Sequence, residues 1–240
     1  MRSPWVVAAV LVIAATAPAA GATAETHGLT ATASGPGVQQ IGTYDYLNLP
    51  DYDGLAPVRL IGGESRIGLG TFDHIDGEMV VLGGVFYRVG TDGTPRVVSV
   101  NRRSPFAQTI AFRPQLRRQV PSGTACADLT TLVDRWVGGS DGIVALRLRG
   151  RFRSLQMRSV PRQSKPYPTL ADVVAQQTVF DLDGRRANLV GFRTGSDLTG
   201  VSPVGTHLHG LTRNRGAGGH TLSCVAGRHV TAWVQRAAGV

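Results

Sequence analysis

The stretch THLHGLTRNRGAGGHTLSCV, residues 206–225, reads as two short strands joined by a turn. Thr206–Leu211 and Thr221–Val225 are rich in strand-forming residues, and Thr212–Gly219 between them holds Asn214 and three glycines, a turn composition. Side chains at i and i+2 of a strand leave the same face, so His207 and His209 stand side by side, and the hairpin brings His220 back to them. Three imidazoles with an open fourth position form the donor set of a catalytic zinc site. With no carboxylate among them, zinc is favoured over iron or manganese. His27, His74 and His229 have no such company and are read as structural.

The same short-strand pattern extends outward from this hairpin. Asp-Gly turns at 76–77, 92–93, 141–142 and 183–184 punctuate runs at 67–72, 79–89, 96–100, 143–152, 178–182, 187–192 and 230–234. Two helices interrupt them. Leu129, Leu132, Val133 and Trp136 make one apolar stripe, with Ser122 and Thr124 as candidate caps and Gly138-Gly139 as its end. Thr169 caps the second, Leu170 to Gln177. Few helices among many hairpins indicate an α+β, sheet-rich fold with antiparallel or mixed pairing.

The chain has 240 residues, with 31 Gly and 13 Pro, and a net charge of +9 that is nearly all arginine. That is a turn-rich globular composition. It contains no G-x-G-x-x-G, P-loop or G-x-S-x-G element, which leaves nucleotide binding and serine-hydrolase chemistry without an anchor. Arg2 and the apolar run Trp5 to Ala15, followed by Ala-Thr-Ala at 22–24, read as a Sec-type signal peptide over 1–24, implying secretion or another extracytoplasmic location. No later stretch is long enough to span a membrane. Residues 25–40 read as a flexible entry segment. In an oxidising compartment Cys126 and Cys224 could pair or remain two buried thiols.

From Leu198 onward the sequence holds no Asp or Glu, so a carboxylate working beside the histidines must come from upstream. Glu78 is the best placed, opening a hydrophobic strand after Asp76-Gly77; the alternative is a surface charge at a strand end. Arg147, Arg149, Arg151 and Arg153 alternate with apolar residues and line one sheet face, either simply solvated or binding a polyanion. The register breaks at Ser154-Leu155, which puts Arg158 on the opposite parity and turns it inward, where a guanidinium can clamp a carboxylate.

Together these segments resemble the alpha-acetolactate decarboxylase family. The likeness rests on GLGTFDHIDGEMVVLGGVFY (68–87), SPFA (104–107), RSVPRQSKPYPTL (158–170) and HLHGLTRNRGAGGH (207–220), in that order. It implies two related sheet-rich halves, here 41–157 and 158–240, the second carrying the histidines. It also implies Zn²⁺ on His207, His209 and His220, with Glu78, Arg158 and Thr71 lining the site. The expected substrate is a small 2-hydroxy-3-keto acid, 2-acetolactate, decarboxylated to acetoin. A homodimer is expected, and nucleic acid is not an expected partner. The sequence departs from the family pattern at Gly83 and Gly210. Family chains run on past the third histidine into a tail whose glutamate returns to the metal, and this sequence ends at Val240 without an acid there. Water, a neighbouring subunit or another side chain is therefore expected in that place, or activity is weakened or redirected. The rival readings are a cupin-like His-x-His metal enzyme and an exported arginine-rich binding protein that keeps the scaffold without catalysis.

Overall fold

The computed structural model describes residues 36–240; the signal-peptide reading and most of the entry segment fall outside them. In chain order the first strands are β1 (Gln39–Ile41), β2 (Ala56–Pro57), β3 (Arg66–Thr71), β4 (Glu78–Leu82), β5 (Val85–Val89), β6 (Pro95–Val97), β7 (Arg103–Ser104) and β8 (Ala107–Ala111). They are followed by β9 (Leu116–Val120), β10 (Ile143–Ser159), β11 (Thr178–Asp181), β12 (Arg186–Thr194), β13 (Gly205–Thr212), β14 (Gly218–Ala226) and β15 (Val230–Arg236). Three α-helices accompany them: α1 (Tyr44–Asn48), α2 (Leu129–Val137) and α3 (Leu170–Ala175). The expected α+β, sheet-rich class is what the chain adopts, and the paired strands run antiparallel.

Of the two large sheets, the first has the order β1-β8-β3-β4-β5-β6 and the second β12-β13-β14-β10-β15-β9 with β11 on β10, while β2 and β7 pair in a small third. The division at 157/158 falls inside β10, which belongs to the second sheet throughout; the chain changes sheet between β8 and β9. Gln39 and Gln40, read as flexible entry, pair with β8. β10 is long enough to serve two neighbourhoods. Its first half lies between β12 and β15, and its second half between β14 and β11, so that β10, β12, β13 and β14 close on one another.

A register shift between Phe152 and Ser154 makes this possible. Up to Phe152 the even-numbered side chains of β10 are buried, and from Leu155 the odd-numbered ones are, as a bulge requires. This corrects the reading of Arg158. Without the bulge Arg158 would point to the face opposite Arg147. With it, the pairings Arg147 to Val190, Val190 to His209, His209 to His220 and His220 to Arg158 place both arginines on one face, since directly opposed residues share a side. Arg158 is covered because the first sheet lies over that end of the strand, where Ser159 Oγ donates to Val89 O at 2.8 Å.

Apolar residues of both sheets meet in a shared core that includes Leu69, Val80, Phe106, Val190 and Phe192. Burial of each such side chain contributes about 1.5–3 kcal/mol. On the far side of the second sheet, Leu129 and Val133 of α2 pack on Leu146, Leu148 and Leu155. Gly138, left-handed at φ 71°, ends α2 as expected. Its start differs: a 3₁₀ turn, Cys126–Asp128, leads into the helix, and Ser122 and Thr124 do not cap it. Thr169 does cap α3, accepting from Asp172 N. Cys126 and Cys224 form a disulfide, tying this 3₁₀ turn to β14 with 5.0 Å between Cα atoms.

Candidate active site

His207 and His209 leave the same face of β13, and His209 lies directly opposite His220 on β14. The three ring centroids are 4.9–5.1 Å apart. His220 Nδ1 stands 3.1 Å from His209 Nε2 and 3.2 Å from His207 Nε2. The other nitrogen of His209, Nδ1, is 2.7 Å from the carbonyl oxygen of Met79 on β4. A neutral imidazole has one N–H. Given to that carbonyl, it leaves the Nε2 lone pair of His209 facing its two neighbours.

Burial keeps all three rings neutral. It pulls His207 down to about 4, with Arg158 adding to the effect. Burial lowers His209 and His220 well below the usual imidazole value, helped by the neighbouring histidines and Arg158. At 3.1–3.2 Å one of these nitrogens can donate an N–H to another, and a cation taking the place of that proton would meet three converging lone pairs. A tetrahedral zinc with bonds of about 2.0–2.1 Å holds its nitrogen ligands about 3.3 Å apart. The histidine set fits a divalent metal in number, charge and spacing.

Glu78 enters from the first sheet. Gly77, at φ 76°, makes the turn before it; a Cβ there would meet Val89 O at 2.4 Å, so only glycine serves. Thr71 is the β-partner of Glu78, and its hydroxyl donates to Gly77 O at 2.7 Å, closing the turn. Asp76 takes N–H groups from both Arg88 and Arg102, the latter at 2.7 Å, and anchors the turn from behind.

The Glu78 carboxyl is buried, not a surface charge. Arg158 Nη1 donates to Oε1 at 2.8 Å, while Oε2 lies 3.5 Å from His209 Nε2. Burial pushes its pKa up to about 7 against the pull of Arg158, because desolvation penalises the charged form.

All six residues singled out, Thr71, Glu78, Arg158, His207, His209 and His220, line one cavity of about 300 Å³. Its remaining wall is mostly apolar, including Leu47, Phe106, Leu170, Val173 and Val204, with Tyr44, Thr206 and Thr221 as its polar members. That wall was missed in the sequence because its residues come from separated elements and look like ordinary core. The Met79 carbonyl, a backbone group, leaves no sequence signal.

His74 keeps its structural reading. It sits beside Asp53 and Asp73, but Asp53 is occupied by Lys165 at 2.5 Å and Tyr167 at 2.6 Å.

Comparison with known proteins points to one family. A relative from Methanosarcina mazei named alpha-acetolactate decarboxylase is 39% identical over 183 residues, 76% of this chain and 64% of that protein. One of the same name from Klebsiella aerogenes is 34% identical over 71% of this chain and 66% of its own length. The chain thus matches slightly under two thirds of the length of these relatives. The crystal structure of alpha-acetolactate decarboxylase from Bacillus subtilis strain 168 superposes with a TM-score of 0.78 at 30% identity, covering 83% of this chain and 85% of that one. The sequence profile described as alpha-acetolactate decarboxylase matches residues 38–240, everything from β1 onward, and with that match the chain belongs to the alpha-acetolactate decarboxylase family.

Proposed function

We propose that this protein decarboxylates 2-acetolactate (2-hydroxy-2-methyl-3-oxobutanoate) to acetoin and CO₂, with zinc held by His207, His209 and His220. The observation that carries this reading is the Glu78–Arg158 pair, bonded at 2.8 Å beside three converging imidazoles. In the reaction the bond between C2 and the carboxyl carbon breaks, its electron pair passes into the C3 ketone, and a proton added at C2 yields acetoin. When bound, a divalent cation supplies Lewis-acid polarisation of the substrate's oxygen atoms.

The side chains divide the rest of the work. Arg158 offers its free guanidinium edge to the substrate carboxylate, orienting the bond that breaks, and then faces the charge that develops. Glu78 lies between Arg158 and the histidines, placed to hold a proton and deliver it to C2. Thr71, whose proton goes to Gly77 O, keeps an oxygen toward the cavity and fixes the turn under Glu78. The apolar wall takes the two methyl groups and excludes water.

We place the protein outside the cytoplasm, exported by residues 1–24; the Cys126–Cys224 disulfide supports an oxidising compartment. Incubating the purified protein with 2-acetolactate and measuring acetoin and CO₂ tests the activity. Equimolar release of both is expected, without oxygen uptake. Oxygen consumption would instead indicate the cupin-like reading, and no turnover the loss of catalysis.

A further inference from the structure

Two adjoining surface clefts open at the end of the second sheet away from the histidines. Arg151, Arg185, Arg186 and Arg213 border one, and Arg151, Arg153, Arg186 and Arg228 the other. All six arginines are exposed. Among the described residues none of the six pairs with a carboxylate; the side chain of Arg153 donates only to Ser122 Oγ, at 3.1 Å. Arg88 and Arg102 share Asp76, Arg96 pairs with Asp92, and Arg193 with Asp134; other exposed arginines, such as Arg59, Arg118 and Arg135, also lack a carboxylate, but they are scattered, whereas these six border two adjoining clefts. The one acid bordering the clefts, Asp183, already accepts from Leu155 N at 2.8 Å.

The backbone sets these cations in a row. Arg151 lies directly opposite Arg186 across the β10–β12 pair, and Arg213 N donates to Arg186 O at 2.7 Å. Neighbouring strands are about 4.8 Å apart, and residues two apart along a strand about 6.7 Å, so these long side chains spring from closely spaced points and can reach successive charges of one chain. Concentrating like charge without partners costs self-repulsion, which an anionic ligand relieves; guanidinium forks bind phosphate oxygens in pairs. A single small anion would engage one or two of them, leaving the rest unused. Neither cleft offers a Trp, Tyr or exposed Phe on which bases could stack: Phe152 is fully buried and His229 is the one exposed aromatic ring lining them, whereas single-stranded nucleic acid sites employ successive stacking rings.

We propose that the two clefts form a docking surface for a linear polyanion of repeating phosphate groups, separate from the catalytic cavity. The clefts share no lining residue with the catalytic cavity, and their arginine nearest in sequence to one of the three site histidines, Arg213, is four residues beyond His209, about 13 Å along a strand, so polymer and small substrate would occupy different places.

The test is fluorescence anisotropy of the full protein with end-labelled inorganic polyphosphate at rising salt. Six phosphate contacts predict a log–log slope of affinity against salt of about −4. The triple variant Arg151→Gln, Arg186→Gln, Arg213→Gln should bind at least ~10-fold more weakly and lose about 2 from that slope. The triple Arg59→Gln, Arg118→Gln, Arg135→Gln removes the same charge from exposed positions elsewhere and should stay within about 2-fold of wild type if the site rather than net charge binds. Cooperative melting of both triples at the wild-type temperature shows that they are folded. Equal weakening in the two triples overturns the proposal, as does absence of binding at low salt. So does tighter binding of a labelled oligothymidylate than of polyphosphate, which would make nucleic acid the partner.

Discussion

His209 donates its Nδ1–H to the carbonyl oxygen of Met79 at 2.7 Å, across 130 residues of sequence and between the two sheets. The strand that carries Glu78 therefore also selects the tautomer of a central histidine, and the docking of one sheet on the other assembles acid and donors together.

Glu78→Gln keeps the shape and the bond to Arg158 but has no proton to give. It should retain the metal and lose at least ~10²-fold in turnover, the usual scale of general acid–base catalysis. Metal analysis alongside acetoin release checks this; near-wild-type turnover would remove Glu78 from the chemistry.

Arg158→Lys keeps a positive charge while removing the planar fork. The expected outcome is a fall of about 10- to 100-fold in kcat/KM with unchanged metal content. Steady-state kinetics with 2-acetolactate decide it, and an unchanged kcat/KM would mean that carboxylate binding does not use the fork.

The hairpin carrying the histidines was legible because strand periodicity and turn chemistry both act locally: two residues of spacing put His207 beside His209, and the glycine-rich turn returned His220 opposite. Glu78 was legible from its turn, but its burial was not, since the sheet covering it comes from a distant part of the chain. The parity of Arg158 was misjudged for a similar reason. A bulge is a relation between two strands, and the identity of the neighbour, β14, cannot be read from β10 alone. Strand β8 was missed because Gln108 and Thr109 break its apolar pattern; both are buried, bonded to Gln40 and to Ile61 O respectively. Strand β9, with three polar residues in LRRQV, is a solvent-facing edge with little periodic signal.

Asp76 should make stability depend on acid pH. Burial pushes its carboxyl up, but the N–H groups of Arg88 and Arg102 outweigh this and hold it below the ordinary range. A depressed acid stabilises the fold above its unfolded pKa of about 3.9, and that contribution is lost as pH falls through the folded value. Asp76→Asn should therefore cost about 1.5–3 kcal/mol at pH 7, the worth of hydrogen bonds to charged groups, with the gap to wild type closing in acid. Urea unfolding across this range measures it; a gap independent of pH would contradict the assignment.

Replacing both Cys126 and Cys224 with Ala opens a crosslink between residues 98 apart. A loss of about 2–4 kcal/mol is expected, read as a lower denaturation midpoint. An unchanged midpoint would show that the 3₁₀ turn before α2 holds to β14 without the bond.

The most direct measurement is acetoin formation by chelator-stripped protein titrated with zinc. Stripping should abolish turnover, and activity should return in proportion to added zinc until one ion per chain is bound, with His209→Ala neither binding nor responding. Full turnover by the stripped protein, or wild-type turnover by His209→Ala, would contradict the assignment of the three imidazoles to a catalytic metal.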